Sequence, residues 1–340
     1  MGYDFTLYRR KTMTPKQLKK TLIKTTAAGL PVLIKGAPGV GKSDIVAQVA
    51  KELGMNLIIT HPVVSDPTDF KGLPGIVEGK AEFLPYGDLR KLLDADTPTI
   101  CFLDDLGQAP AAVQAAAMQL ILARRVNGHV VSDKVVFLAA TNRREDRAGV
   151  TGILEPVKSR FATILHLEPS VDEWVEWALS NDMPTELIAW VRFRPNLLWA
   201  PNPTADIVNS PCPRTIAFAG KLINAGITDM ETLAGSIGEG AAAELVGFLR
   251  ICNELPDIDE ILLNPIQAPV PQNPAALYAV ASALSRKASM DNAKAFFTYV
   301  DRLPKEFAVF SIRDAVAQTK TLCNTRPYIE WTTKNQNILT

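Results

Sequence analysis

A chain of 340 residues with 47% hydrophobic side chains is long enough for two or three domains and can bury a large core, which excludes a disordered protein. Its 36 basic and 36 acidic residues cancel to a formal charge of zero, which argues against a dedicated nucleic-acid binder while leaving local basic patches open. Cys101, Cys212, Cys252 and Cys323 are widely separated with no C-x-x-C pair, so neither a zinc site nor a disulfide framework is expected, and the cytoplasm is the expected compartment. The opening MGYDFTLYRRKTMTPK lacks an apolar signal core, and no apolar run reaches the roughly 18 residues of a membrane span, so membrane insertion is not expected.

In chain order, apolar runs of strand length fall at Val32-Lys35, Asn56-Thr60, Thr99-Leu103, Val135-Ala140 and Thr163-Leu167. Helical patterns separate them: Pro15 to Ala28 stops at Gly29, Asp44 to Leu53 stops at Gly54, and Ala111 to Arg124 starts after Pro110. This alternation predicts an α/β fold with a five-stranded parallel sheet and right-handed crossovers. Beyond Pro169 the strands vanish and helices are predicted at Asp172-Asn181, Thr185-Arg192, Arg214-Ala225, Glu239-Glu254, Pro274-Ser289, Asn292-Leu303 and Ile312-Thr321. Two proline-rich stretches, PNLLWAPNPTADIVNSPCPR and NPIQAPVPQNP, interrupt them as linkers with enough apolar residues to pack.

The turn after the first strand reads GAPGVGKS, Gly36 to Ser43, and fits G-x-x-x-x-G-K-[ST] between a strand and a helix. Backbone N–H groups there, backed by a helix N-terminus, wrap a β-phosphate, and Gly36, Gly39 and Gly41 permit the approach because they lack a Cβ. Lys42 is the expected partner of the β- and γ-phosphates and the Ser43 hydroxyl the expected ligand of Mg²⁺, with Pro38, Val40 and Asp44 completing the stretch. A chance glycine-rich turn is the plainer reading. Eight positions and both flanking elements argue against it.

The next carboxylates separate one phosphate-loop protein from another. The apolar run Thr99-Leu103 ends in Asp104-Asp105, where Asp104 is expected to hold a Mg²⁺-bound water and Asp105 to orient an attacking water as general base; the alternative is an acidic turn with an Asp at a helix N-cap. Val135-Ala140 ends in Thr141-Asn142. If that strand neighbours the Asp104 strand, Asn142 lies beside the γ-phosphate and its amide positions the lytic water; otherwise the pair is a turn.

Together these motifs, the helix QAPAAVQAAAMQLI, the ATN of Ala140-Asn142 and LEPVKSRF resemble an AAA+ ATPase of the MoxR type, whose helix after the acidic pair runs N-R-A-P-P-K-x-Q-x-A-L-L. The resemblance implies ATP and Mg²⁺ as cofactors, a P-loop AAA+ core at 1–168 and a helical lid at 169–256; residues 257–340 are expected as a C-terminal helical extension without a counterpart in the family. It also implies that Arg160 is an arginine finger reaching the γ-phosphate in the adjacent subunit, and that Arg214, in Cys212-Pro213-Arg214, is a sensor at the start of a lid helix. Cys212 stands where the family has Ser, so the second match is partial. Read without the family, Arg160 is a surface residue ahead of a strand. Arg143, Arg144 and Arg147 read equally as interface arginines or as a solvated basic loop.

Two further stretches resemble insertions of the same clade. Residues 70–85 read as short strands around a Glu-Gly-Lys turn, where Phe70, Leu73 and Ile76 either touch a substrate or pack the hairpin. Residues 124–131 carry Asn127-Gly128, a type I′ hairpin signal. His61, His129 and His166 lack helical spacing, so no metal site is expected from them, and Trp174 and Trp177 read as helix packing.

One departure matters chemically. Asp105 replaces the family's usual Glu and is one methylene shorter, so hydrolysis is expected to be slow or to need a partner. The resemblance implies a hexameric ring remodelling a protein partner, often one with a von Willebrand factor A-type domain. A nucleotide-gated scaffold with weak hydrolysis is the alternative, and a nucleic-acid motor ranks below both.

Overall fold

Five strands predicted from unbroken apolar runs lie side by side in one parallel sheet, and the order in which they do so decides where the chemistry sits. The computed structural model describes residues 12–143, 146, 152–202 and 206–336. The chain divides into two units, Met1–Glu173 and Trp174–Thr340, each described by itself.

In the first unit, α1 (Pro15–Ala27) opens with a reciprocal cap between Thr14 and Gln17 and packs on α2 (Lys42–Leu53). Between them runs β1 (Val32–Gly36). Helix α2 starts two residues before the predicted Asp44, because Gly41 at φ +89° already turns the chain into the helix. β2 (Asn56–Thr60) leads to the short α3 (Pro67–Lys71), the hairpin β3 (Leu73–Val77) and β4 (Lys80–Leu84), and α4 (Gly87–Leu93). Then come β5 (Thr99–Leu103), α5 (Ala111–Ala123), the hairpin β6 (Arg125–Val126) and β7 (His129–Val130), β8 (Val135–Thr141), α6 (Glu155–Lys158) and β9 (Thr163–Leu167).

The main sheet has the order β2-β5-β8-β1-β9 with every pairing parallel. β5 and β8 are buried along their whole length, as expected of strands covered on both faces. Leu33, Cys101, Leu103, Phe137 and Ala139 share one core cluster with Phe70, Leu89, Val113, Ala117, Val157 and Phe161. Phe70 is 4% exposed, so of its two readings the structure selects packing, whereas Leu73 and Ile76 face outward.

Both hairpins form as predicted around left-handed pairs, Glu78-Gly79 and Asn127-Gly128. The second hairpin also meets the first and the helix before it: His129 Nε2 lies 2.9 Å from Phe83 O of β4, and Asn127 Nδ2 donates to Lys71 O at the end of α3 at 2.8 Å.

The boundary between the units falls within α7 (Val171–Ser180). The second unit contains α8 (Thr185–Phe193), α9 (Pro213–Asn224), α10 (Met230–Ile237), α11 (Glu239–Asn253), α12 (Ile258–Leu263), α13 (Pro274–Lys287), α14 (Ala293–Val300), α15 (Lys305–Gln318) and α16 (Arg326–Lys334). Helix α13 packs against α8, α11 and α15. Arg192 of α8 donates to Asp314 of α15 at 2.7 Å and stacks over Phe310 at 4.7 Å.

Helix α15 begins at Lys305 rather than the predicted Ile312, because Pro304 starts the helix and a charged first turn, Lys305-Glu306, hides it from an apolar pattern. The proline-rich linkers pack only in part: Leu198 is buried and the Tyr299 hydroxyl donates to Pro269 O at 2.7 Å, whereas Ile207, Val208 and Ile266 are exposed. Trp331 of α16 is buried in the core of α12–α16, with Tyr328 packed against that cluster. No helix among the described residues is long and apolar enough to cross a membrane.

Candidate nucleotide-binding site

Because β8 lies between β1 and β5, the three chain segments leaving their C-terminal ends converge on one edge of the sheet. That edge is where open α/β sheets place their ligands. The segments carry the phosphate loop, Asp104-Asp105 and Asn142.

The loop turns through Gly39 at φ +72° and Gly41 at φ +89°. A Cβ on Gly36 would stand 3.1 Å from Leu167 O of β9, so the exit from β1 is tight as well. Pro38 is exposed, Val40 is buried at 4% exposure, and Asp44 is exposed in the first turn of α2. The amide-rich start of α2 therefore faces the loop's concavity with its positive end.

Lys42 is a buried cation, 7% exposed, and its Nζ donates to Gly36 O at 3.1 Å, Ala37 O at 2.9 Å and Asn142 Oδ1 at 2.6 Å. Burial of an ammonium is tolerable here because three oxygens replace its water. Ser43 Oγ donates to Asp104 Oδ2 at 2.6 Å. Asn142 Nδ2 donates to Asp105 Oδ1 at 3.2 Å, and Asp104 Oδ1 accepts from the Asp105 amide at 3.1 Å. Lys42, Ser43, Asp104, Asp105 and Asn142 thus form one hydrogen-bonded group drawn from three strand ends.

Asp105 adopts a left-handed backbone, φ +56°, at the start of a 3₁₀ turn, Leu106–Gln108. Asp tolerates that conformation better than most residues. The turn also explains Gly107: a Cβ there would stand 2.1 Å from Thr141 Oγ1.

Arg160 belongs to the first unit but not to this group. It is half-buried, follows α6, and its Nη1 donates to Ser159 Oγ at 3.1 Å. Arg214 is exposed at the second position of α9 in the second unit. Cys212 holds the cap position of that helix, where its amide donates to Thr215 Oγ1 at 2.9 Å. Arg143 is committed locally: its Nε and Nη2 donate to Asp146 at 2.9 and 2.8 Å. Arg144 and Arg147 lie outside the described residues.

A cavity of about 400 Å³ opens elsewhere in the first unit, lined in part by Thr60, His61, Asp69, Tyr86, Asp88 and Leu103 and by none of the phosphate-loop residues. Several of its polar groups bond to one another. The Tyr86 hydroxyl donates to Asp69 Oδ1 at 2.5 Å, which pushes the phenol upward in pKa, and Thr60 Oγ1 donates to Asp88 at 3.2 Å.

Sequence reasoning named no role for Gln114, a side chain 1% exposed in α5. The signal was present: of the two amides in this Ala- and Leu-rich helix, Gln114, unlike the exposed Gln119, shares a helical face with buried Ala117 and Ile121.

Topology and loop geometry define the first unit as an AAA+ P-loop fold, followed by a helical region. Residues 31–161 match the family model described as AAA domain, dynein-related subfamily, and that span contains every residue of the group built on Lys42 and Asp104. Among solved structures, a point mutant of RuvB from Thermotoga maritima is 20% identical, covering 79% of this chain and 81% of that chain with a TM-score of 0.43. The Thermotoga maritima RuvB Holliday junction branch migration motor is 18% identical over 85% of this chain and 86% of that one, at TM-score 0.40. NtrX from Brucella abortus in complex with ADP is 13% identical over 90% and 68%, at TM-score 0.38. No curated protein matches the sequence.

Proposed function

We propose that the chain is an ATPase of the MoxR type, which hydrolyses ATP to ADP and phosphate in a hexameric ring and uses the cycle to remodel a partner protein. The observation that carries this reading is the hydrogen-bonded group itself: Lys42 reaches Asn142 at 2.6 Å and Ser43 reaches Asp104 at 2.6 Å. In it the loop N–H groups bind the β-phosphate, Lys42 offsets charge on the γ-phosphate, and Asn142 orients the water. Asp105 accepts the water's proton as its oxygen attacks the γ-phosphorus, and the bond to the ADP oxygen breaks. The Ser43 hydroxyl and the Asp104 carboxylate are hard oxygen donors in contact, which fits Mg²⁺; that ion would supply charge neutralisation on the phosphate oxygens.

Arg160, half-buried and outside its own subunit's group, serves the γ-phosphate of the neighbouring subunit. Arg214 contacts nucleotide from a lid at 169–256, and 257–340 is an extension of that helical region. The partner is a protein, with a von Willebrand factor A-type domain as the class the MoxR resemblance favours; nucleic acid is not proposed as substrate for a chain of zero formal charge. The compartment proposed is the cytoplasm.

A second reading, a nucleotide-gated scaffold that hydrolyses weakly, is favoured by Asp105, whose short carboxylate already accepts from Asn142 at 3.2 Å. The experiment is steady-state ATP hydrolysis with Mg²⁺ for the wild type, Lys42→Ala and Asp104→Asn. Turnover in the wild type alone supports the enzyme. Wild-type turnover equal to that of Lys42→Ala, with ATP still bound, selects the scaffold.

A further inference from the structure

Gln114 makes three hydrogen bonds from a fully buried side chain, each to backbone. Its Nε2 donates to Ala109 O at 3.0 Å and to Gly152 O at 2.9 Å, and its Oε1 accepts from the Leu154 amide at 3.0 Å. This pattern fixes the amide's orientation, because a flip would set the oxygen against two carbonyls. It also distinguishes Gln from Glu, whose carboxylate has no donor to offer.

The three partners belong to two segments with different duties. Ala109 closes the turn that begins at Asp105: the Ala109 amide donates to Leu106 O and the Gln108 amide to Asp105 O. Gly152 is bonded to the same turn through Gly107 O at 3.3 Å. Leu154 opens the other segment. Its carbonyl accepts from the Val157 amide at 2.9 Å, and the Val157 carbonyl accepts from the Arg160 amide at 3.1 Å. A continuous path of hydrogen bonds therefore runs from Gln114 through Leu154 and Val157 to Arg160.

The α6 segment needs such an anchor. Four helical residues do not hold a helix by themselves; Val157 is buried and Ile153 packs on the same core, and the Leu154 amide at the helix start is held by Gln114. The Asp105 turn, in contrast, is held at its upstream end by β5 and by Asn142.

We infer that Gln114 is a positioning residue that sets the Arg160 backbone of its own subunit against the Asp105 turn, so that the arginine is presented to the neighbouring subunit's site. This rests on the reading above, in which Arg160 acts across the interface. The side chain touches neither nucleotide nor water and acts through the backbone of 152–160.

The test uses mixed rings. Lys42→Ala chains keep Arg160 and lack a working site; Arg160→Ala chains keep the site and lack the arginine, so a mixture recovers activity only where the first donates its arginine to the second. Gln114→Met, of similar volume and without hydrogen-bonding groups, is then placed in either partner. Expected is a loss of about tenfold or more when it accompanies the arginine donor, and a change within about twofold when it accompanies the arginine acceptor. Activity in the acceptor placement also shows that the variant folds. Gln114→Glu keeps the acceptor for Leu154 but sets a second oxygen against the Ala109 and Gly152 carbonyls; run in both placements, it is expected to lose at least as much activity as Gln114→Met on the donor side.

Equal losses in both placements, or a loss confined to the acceptor, overturn the inference while leaving the shared site intact. A parent mixture that recovers no activity removes the shared site itself, and the inference with it.

Discussion

Lys42 Nζ meets Asn142 Oδ1 at 2.6 Å, which joins the start of α2 to the end of β8 across a strand boundary no local pattern encodes. Asn142 is thereby oriented with its amide nitrogen toward Asp105. Asn142→Ala removes both contacts but leaves Lys42 its two carbonyl partners, Gly36 and Ala37. Turnover is expected to fall about a hundredfold while ATP affinity changes far less, as for the loss of one preorganised polar group. Titration of nucleotide binding alongside initial rates checks this; an equal loss in both would mean that Asn142 mainly shapes the loop.

Ser43 and Asp104 predict a metal dependence. Ser43→Ala leaves Asp104 without its 2.6 Å donor and removes the hydroxyl expected to face the ion. The Mg²⁺ concentration for half-maximal turnover should rise about 10- to 100-fold, and chelation should abolish turnover in the wild type. An unchanged Mg²⁺ curve would remove Ser43 from the metal's surroundings.

Gly107 and Thr141 form the closest packing beside the site. Gly107→Ala puts a Cβ 2.1 Å from Thr141 Oγ1 and is expected to destabilise the first unit by about 1–3 kcal/mol. Thr141→Ala opens that space, so the double variant should be more stable than the sum of the single losses predicts. Denaturant unfolding of the four proteins gives the coupling; simple additivity would show that the backbone relaxes instead.

Much of this was readable in the sequence because the determining features are local. β5 and β8 are continuous apolar runs, and the phosphate loop, the acidic pair and the Asn-Gly hairpin are fixed by short-range geometry. Strand limits agree within one residue for the same reason. Short helices escaped. α10 and α12 have only eight and six residues, too few for a period to emerge, although Asp229 and Asp257 cap them with side-chain hydrogen bonds. What stayed hidden was tertiary: that Phe70 turns inward, and that Gln114 reaches residues forty positions away.

Two thiols report on packing, one in each unit. Burial pushes Cys101 of β5 well above the usual thiol range and raises Cys252 to about 12. Both should resist alkylation at pH 8 until the chain unfolds. Since the folded state keeps these protons and the unfolded state releases them, their contribution to stability is full below about pH 8.5 and is lost as pH rises above it. Rapid labelling of Cys101 in the folded protein would contradict the packing of β5.

The central claim is a site shared between subunits. It is tested most directly by ATP turnover per chain as protein concentration is raised at fixed low salt, with Arg160→Ala alongside. The account predicts specific activity that climbs with concentration and then levels, and an Arg160→Ala protein that assembles and binds ATP yet turns over roughly 10³-fold more slowly or worse. Turnover per chain that is constant with concentration, and unaffected by Arg160→Ala, would contradict it.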